Sequence, residues 1–518
     1  MNLKTHRFFN NTGGLNLRFQ DTHLGESDAE EIENLHSTNT GSWTTLDVGY
    51  VQKNVSPMST GATVNGLYAF YTDSGQGASQ SHLIASAGGK VHRVSSGDGT
   101  WDVIYEGMDA EAPVQFLTFQ GVLICLNGVD APVTWTGQGD FEPLRGWPPA
   151  ISGLTTGYPS YGEIFNNRLV LSGDSQNPSV VYLSEQENPE NFTPSDTVTG
   201  PGAIHVAPGD GEKVTGLKSM YLPVTNEEIL VIFKERSTYV LFGQDSDSFQ
   251  LEKVSDSFGA VSHQSVVRLA NEILFLSTEG VTSLTTATQQ GNLVTQFVSQ
   301  NIQPQINQLN RNQLHRSFAV HLPERSEVWW VVPDGGSTKN QRVLVMNYSQ
   351  GVIWSRRSGI EAASGTVFSG KLYTGDYSGA IHQQLTGSSY NGEPIPWTYR
   401  TPFYDLGNSR IRKRVRDVEV YLKQLNAMDV SVKTAWDIRR NQASQTERIL
   451  TTQPDSGSSL YGGAVFGDDL YGLAGVSIEP FMPDGSGRFF QIEFSGNAVD
   501  QPIELQGWSI TSLNGSYR

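Results

Sequence analysis

Phe165–Phe192 reads FNNRLVLSGDSQNPSVVYLSEQENPENF. With the preceding Tyr161–Ile164 it is an apolar run, Asn166–Asn167, a second apolar run ending at Gly173, a third (VVYL) and a proline-marked loop. Paired asparagines tolerate the left-handed backbone of a tight hairpin turn, so the pattern predicts strand, turn, strand. The same unit recurs. LIASAGGKVHRV turns at Gly88–Gly89, and VQFLTFQGVLICLNG at Gln120–Gly121. ILVIFKERSTYVLFG turns near Glu235, and VVRLANEILFLSTEGVTSL at Ala270–Asn271. SFAVHLPERSEVWWVV turns near Glu324, and TVFSGKLYTGDYSGAIHQ at Ser369–Gly370.

These landmarks are spaced by about 32 to 68 residues, averaging near 50, where propeller repeats run ~40–50. One four-stranded sheet fits in each interval. Such sheets cannot bury both faces alone, but radial packing buries them and leaves only short edges. The expectation is an all-β chain: a β-propeller of six to seven blades, with tandem β-sandwiches as the competing arrangement. Two helices stand apart in the reading. One is Gly25–Thr38, capped by Ser27 with acidic residues in its first turn; the other is a loose helix over 295–310 broken at Pro304.

The composition agrees. In 518 residues there are 54 glycines, 10% aromatics and only 17% charged residues, which suits strands and reversals rather than coiled coil or disorder. The net charge of −18 argues against a free-standing nucleic-acid reader, because an acidic surface repels phosphate. No run of about 18 apolar residues is present to cross a membrane as a helix, and the N-terminus lacks a signal-peptide core. A chain made in the cytoplasm and soluble there is expected. Cys125 reads as a buried strand residue.

Past residue 395 the pattern changes. LTGSSYNGEPIPWTYRTP interrupts the repeats, and alternation resumes at Val418, Val420 and Leu422, then at Val430 and Val432. Residues 396–518 are read as a separate antiparallel β-sandwich with a long Gly/Ser-rich loop between.

No nucleophile elbow, phosphate loop, dinucleotide fingerprint or metal-ligand spacing appears. GDGEKVTG (209–216) reads as a turn, His82 and His92 flank a hairpin, and Asp376 in GDYSG reads as a backbone cap. Asp468–Asp469 reads as a solvated loop pair before a cation site. The one dense charge run is Arg410, Arg412, Lys413, Arg414 and Arg416; in a strand the four arginines share a face. Three readings stay open for it: a docking surface for an acidic neighbouring subunit, an edge charged against aggregation, and a DNA-facing stripe.

Several phrases taken in order carry a resemblance: FFNNTGGLNLR…DAEEIENL, FNNRLVLSGDSQNPSVVYLSEQENPENF, VIFKERSTYVLFG…FGAVSHQSV…ILFLSTEGVTSL, YTGDYSGAIHQ, and TPFYDLGNSRIRKRVRDVEVYL…GWSITSLNGSYR. The chain resembles the tail nozzle or hub (packaged-DNA stabilisation) proteins of short-tailed bacteriophages. The resemblance implies a structural virion protein, made in the host cytoplasm, with no catalytic residue and no cofactor. It implies residues 1–45 as an extension with a short helix joined to a platform, 46–395 as the propeller and 396–518 as the platform sandwich. It further implies a homohexameric ring below portal and adaptor, bound by tail fibres or spikes, through which DNA is held and later ejected. The alternatives are a host-surface adhesin and a polysaccharide depolymerase, the latter needing a carboxylate pair ~5–10 Å apart at the propeller mouth.

Overall fold

The computed structural model describes residues 3–18, 23–73, 79–94, 99–151, 153–195, 197–222, 226–286, 293–424, 428–437, 445–452 and 476–514. Seven consecutive four-stranded antiparallel units account for most of them. Their first strands are Val64–Asp73, Gln115–Phe119, Tyr161–Phe165, Val214–Leu222, Val266–Leu269, Phe318–Leu322 and Ser364–Phe368. Each packs on the first strand of the next unit, and the seventh packs on the first, so the units close a circle. The molecule carries a β-propeller of seven blades, numbered here in chain order.

All seven hairpin turns fall where the sequence places them. At Gly88–Gly89, Gln120–Gly121, Asn166–Asn167 and Ser369–Gly370 both central residues have positive φ. That is the turn whose twist matches the flanking strands. The stretch 165–192 forms the inner hairpin and third strand of blade 3, where Arg168–Ser172 is buried along its whole length. Side chains from facing blades then interdigitate. Val170, Val181 and Leu183 of blade 3 meet Leu217, Leu230 and Ile232 of blade 4. The opposite face of blade 4, through Val231 and Phe233, meets Ile273 and Phe275 of blade 5. Each such aliphatic side chain contributes about 1.5–3 kcal/mol by leaving water.

Close approach near the axis requires small residues. A Cβ on Gly162 would lie 2.8 Å from Leu171 Cδ2, and one on Gly66 would lie 2.7 Å from the Val114 carbonyl.

Blade 7 is completed from the other end of the chain: Tyr50–Gln52 pairs with Ile381–Gln384, Val51 opposite Gln383. Blade 6 continues outward. Its last strand, Ile353–Arg357, pairs in parallel with Glu31–Glu33, which pairs with Ile395–Arg400. Phe490–Ala498, Met428–Trp436 and Gln445–Thr452 follow, giving a nine-stranded sheet. A six-stranded sheet made from Leu3–Phe9, His36–Ser37, Trp43–Thr44, Lys413–Gln424, Val476–Phe481 and Ile503–Asn514 covers it. Trp508 of this second sheet sits 5.4 Å from Phe494 and 5.6 Å from Tyr399 of the first, ring centre to ring centre. The two sheets form the β-sandwich platform.

Two helices of the sequence reading are corrected. Gly25–Thr38 contains the short strands Asp28–Ala29, Glu31–Glu33 and His36–Ser37. Ala29, Ile32 and Leu35 are buried at a spacing of three, which imitates a helical face. The backbone is extended because Glu31 and Glu33 point to arginines on neighbouring strands, and Asn34 breaks the run with φ 56°. Over 295–310, strand Leu293–Phe297 leads into the single-turn helix Gln303–Ile306. Pro304 lies in its first turn, where no amide bond is lost, so it opens the helix instead of breaking it.

Candidate functional site

The basic run divides into separate environments. Arg410 and Arg412 precede the strand, in the turns after Asp405, and Arg412 donates to the Ser486 carbonyl at 2.7 Å. Arg414 and Arg416 are on the strand Lys413–Gln424, with a register shift between Val415 and Asp417 where Arg416 bulges. All four arginines are exposed. The expected continuous stripe is therefore a cluster drawn from a turn, a strand and a bulge. Lys413 does not belong to it. Its side chain is buried, and its three N–H groups donate to the carbonyls of Asp405, Asn408 and Arg488. Burial holds its pKa below the usual lysine value while Asp405 and Asp437 oppose the shift. Lys413 fastens a turn; it offers no charge to a partner.

A second charged assembly was not anticipated from the sequence. Along one face of the nine-stranded sheet, charges alternate from propeller to platform. Asp334 pairs with Arg342 (3.0 Å), and Arg342 with Glu33 (2.6 Å). Glu33 pairs with Arg356 (2.5 Å), Arg356 with Glu31 (2.9 Å), and Glu31 with Arg400 (2.7 Å). Arg400 pairs with Glu493 (2.5 Å), which faces Lys433 at 3.6 Å. For Arg400, desolvation is the largest influence and lowers the pKa, but Glu31, Glu493 and Glu30 outweigh it and hold the pKa above its ordinary value. The Glu-Ile-Glu alternation at 31–33 was the available signal: a period of two with acids outside and an apolar residue inside is strand grammar.

The inner strands of the blades converge on the propeller axis. A cavity of about 180 Å³ lies there, its wall including Leu67, Phe116, Lys218, His263 and Phe318. His263 stacks on Tyr161 at 5.1 Å, accepts the Leu217 N–H at Nδ1 (3.2 Å) and puts Nε2 2.7 Å from the Gln115 amide. Gln115 in turn bonds both backbone groups of Gly162. Desolvation, with a smaller push from Lys218, lowers the His263 pKa to about 3. An adjoining hollow of about 450 Å³ holds the Lys218–Glu163 pair (2.9 Å) together with Glu228, Arg268 and His321.

The other sequence candidates find structural places. Asp376 accepts the backbone N–H groups of Ser378 and Ala380. In the turn 209–216, Asp210 pairs with Lys234, which is fully buried. His92 meets Ser59, and His82 packs beside both Phe70 and Trp135. Burial pushes the Cys125 thiol up, away from thiolate chemistry. Asp468–Asp469 lies outside the described residues. Among the described residues no group of three or more metal-ligating side chains comes together.

No family model matches the chain, and no curated protein matches it. Among solved structures it is similar to BamB from Moraxella catarrhalis, at 11% identity and TM-score 0.35, over 67% of this chain and 97% of that one. It is similar to the Dos1 propeller at 10% identity and TM-score 0.39, over 65% and 95%. YCF48 bound to D1 peptide follows at 12% identity and TM-score 0.36, over 64% and 94%. These are propeller likenesses at low identity and carry no argument about function; blade count and closure follow from this chain's own strand pairing.

Proposed function

We propose that the chain is a wall segment of a virion tail nozzle: several copies, six by the family resemblance, stand around a common lumen that retains DNA and later conducts it. The observation that carries this reading is the sheet shared by blade 6 and the platform. Two modules joined by a flexible linker would hinge under load. Here hydrogen-bonded strands run from Phe318 to Thr452 across the junction, and the row of ion pairs braces them. Such a joint suits a part that must hold its shape against pressure.

Two further properties support the reading. The described cavities at the propeller axis, about 180 and 450 Å³, are far too small for a duplex, so DNA would pass beside this propeller, not through it. The net charge of −18 disfavours the many phosphate contacts that make binding tight and would stall ejection. The exposed arginines at 410, 412, 414 and 416 are placed on the platform, where an acidic face of a neighbouring copy would meet them.

Mass photometry of the purified chain, alone and with its cognate adaptor, tests this. A species of about six chain masses is expected, with assembly lost in Arg414→Glu/Arg416→Glu while the melting curve is kept. A monomer under every condition overturns the proposal.

A further inference from the structure

A cleft of about 790 Å³ opens between blades 1 and 7, well within the size of small-molecule sites. Among the described residues its charged lining consists of Lys53, Arg93 and Lys371. The chain as a whole carries 53 acidic and 35 basic residues, so three cations as the described charged lining run against its composition. Among the described residues neither Lys53 nor Lys371 has an ion-pair partner. Arg93 touches Asp102 only at 3.9 Å, and its guanidinium lies 5.8 Å from the Trp135 ring centre. Among the described residues only Arg93 of the three has a counter-charge, and that one is distant.

Beside Leu83, Val94 and Ser81 the rest of the lining presents aromatic and amide groups. Trp101, Phe368 and Tyr373 contribute ring surface, and Phe368 meets Tyr373 edge-on at 6.3 Å. Gln80, Gln138 and His82 supply neutral hydrogen-bonding groups. Burial, with Arg93 nearby, lowers the His82 pKa, so the imidazole is neutral at physiological pH. Flat rings accept the C–H face of a pyranose, amides and imidazole pair with hydroxyls, and a guanidinium with two ammonium groups receives an anion.

From this arrangement we infer that the blade 1–blade 7 cleft binds a terminal acidic sugar, one pyranose carrying a single carboxylate. Lys53 and Lys371 with Arg93 would hold the carboxylate, and the aromatic residues would hold the ring. A nucleic acid carries one charge per nucleotide along an extended strand and is repelled at range by a chain of charge −18, whereas a single carboxylate in a local positive pocket is not. The inference does not depend on the nozzle reading; it holds or fails by binding alone.

Isothermal titration of the full chain tests it. The probes are the methyl glycosides of glucuronic, galacturonic and N-acetylneuraminic acid, the neutral methyl glucoside and galactoside, and a ten-residue oligodeoxythymidylate. At least one acid is expected to bind at least tenfold more tightly than both neutral sugars and to weaken with added salt. Lys53→Gln/Lys371→Gln should lose at least tenfold, and Arg93→Gln should lose affinity independently, with unchanged melting curves. Three outcomes overturn the inference: no acid binds, acids and neutral sugars bind alike, or the variants bind as the parent does. Preference for the oligonucleotide also overturns it, in favour of a nucleic-acid groove.

Discussion

Propeller and platform are both antiparallel β-structure, yet they are assembled on opposite plans. Blades 1 to 6 are local, four strands close in sequence folding on one another. Cores such as those between blades 3 and 4 and between blades 4 and 5 are small clusters shared by two neighbours, whereas the contact of blades 5 and 6 runs into the platform core. The platform is non-local. Leu3–Phe9 pairs with Ile503–Asn514, with Leu3 opposite Leu513, and one large core gathers residues from Phe8 to Ile510. The difference teaches where cooperativity should sit. Damage to a blade has short-range neighbours to contain it, whereas damage to the platform reaches both ends of the chain.

Trp508→Ala should show the contrast most strongly. Trp508 is fully buried, stacks on Phe8 and meets Tyr399 and Phe494 at tilted angles, and these three come from distant segments. A loss of about 3–5 kcal/mol in urea unfolding is expected. Hydrogen exchange should accelerate together in Leu3–Phe9, Lys413–Gln424 and Ile503–Asn514. Leu230→Ala in blade 4 should cost about 2–4 kcal/mol, with faster exchange confined to blades 3 and 4. Equal spread in both variants would break the comparison.

Glu33→Gln probes the joint between the two plans. Its carboxylate serves Arg342 and Arg356 at once, with only 14% of the side chain exposed. The substitution leaves two half-buried guanidinium groups short of a counter-charge and should cost roughly 2–3 kcal/mol by denaturant unfolding. A double-mutant cycle with Arg356→Met should return a coupling of at least ~1 kcal/mol. Additive effects would mean that the row of ion pairs does not brace the junction.

The two plans also explain what the sequence disclosed. Blade hairpins were legible because local chemistry sets them: Asn166–Asn167 and Gly88–Gly89 announce their turns regardless of what packs around them. The platform sandwich was legible only in strands that alternate plainly, such as Val418–Leu422. The segment 25–38 misled because its acids are satisfied by Arg356 and Arg400, more than 300 residues away, and nothing nearby reveals those partners. Lys413 was misplaced for the same reason: its neighbours in sequence are exposed arginines, but three carbonyls hold it inside. The blade 1–blade 7 cleft was invisible because Lys53, Arg93 and Lys371 meet only when the circle closes.

Circular closure makes a smaller claim testable. Gly162 sits where blade 3 meets its neighbours near the axis, and an added methyl group would press on Leu171 and the Val170 carbonyl at 2.8 Å. Gly162→Ala should cost about 1–3 kcal/mol. Gly336→Ala, where a Cβ meets nothing within 4 Å, should stay within about 0.5 kcal/mol of the parent by thermal melting. A neutral Gly162→Ala would mean that the inner strands have slack the packing does not reveal.

The last expected effect vanishes at neutral pH and appears only on acidification, and it also separates the two regions. His263 at the propeller axis has a folded pKa of about 3, and His36 in the platform one of about 4, against an ordinary value of 6.5. Desolvation is the main cause in both; Lys218 adds to it at His263, Arg325 and Arg357 at His36. Because the folded value lies below the unfolded one, unfolding takes up a proton between the two. Stability is then level above about pH 6.5 and declines as pH falls, by at most about 1.4 kcal/mol per pH unit for each group. The His36 contribution should be complete by about pH 4, while that of His263 continues towards pH 3. His263→Gln should remove up to one proton from the slope below pH 6 and leave the lower stability limit of the platform unchanged. Imidazole resonances followed by NMR should show no titration of His263 above pH 4. A titration near pH 6 would show that the axial cavity is wet enough to solvate the charged ring, and that the propeller interior is less closed than the platform core.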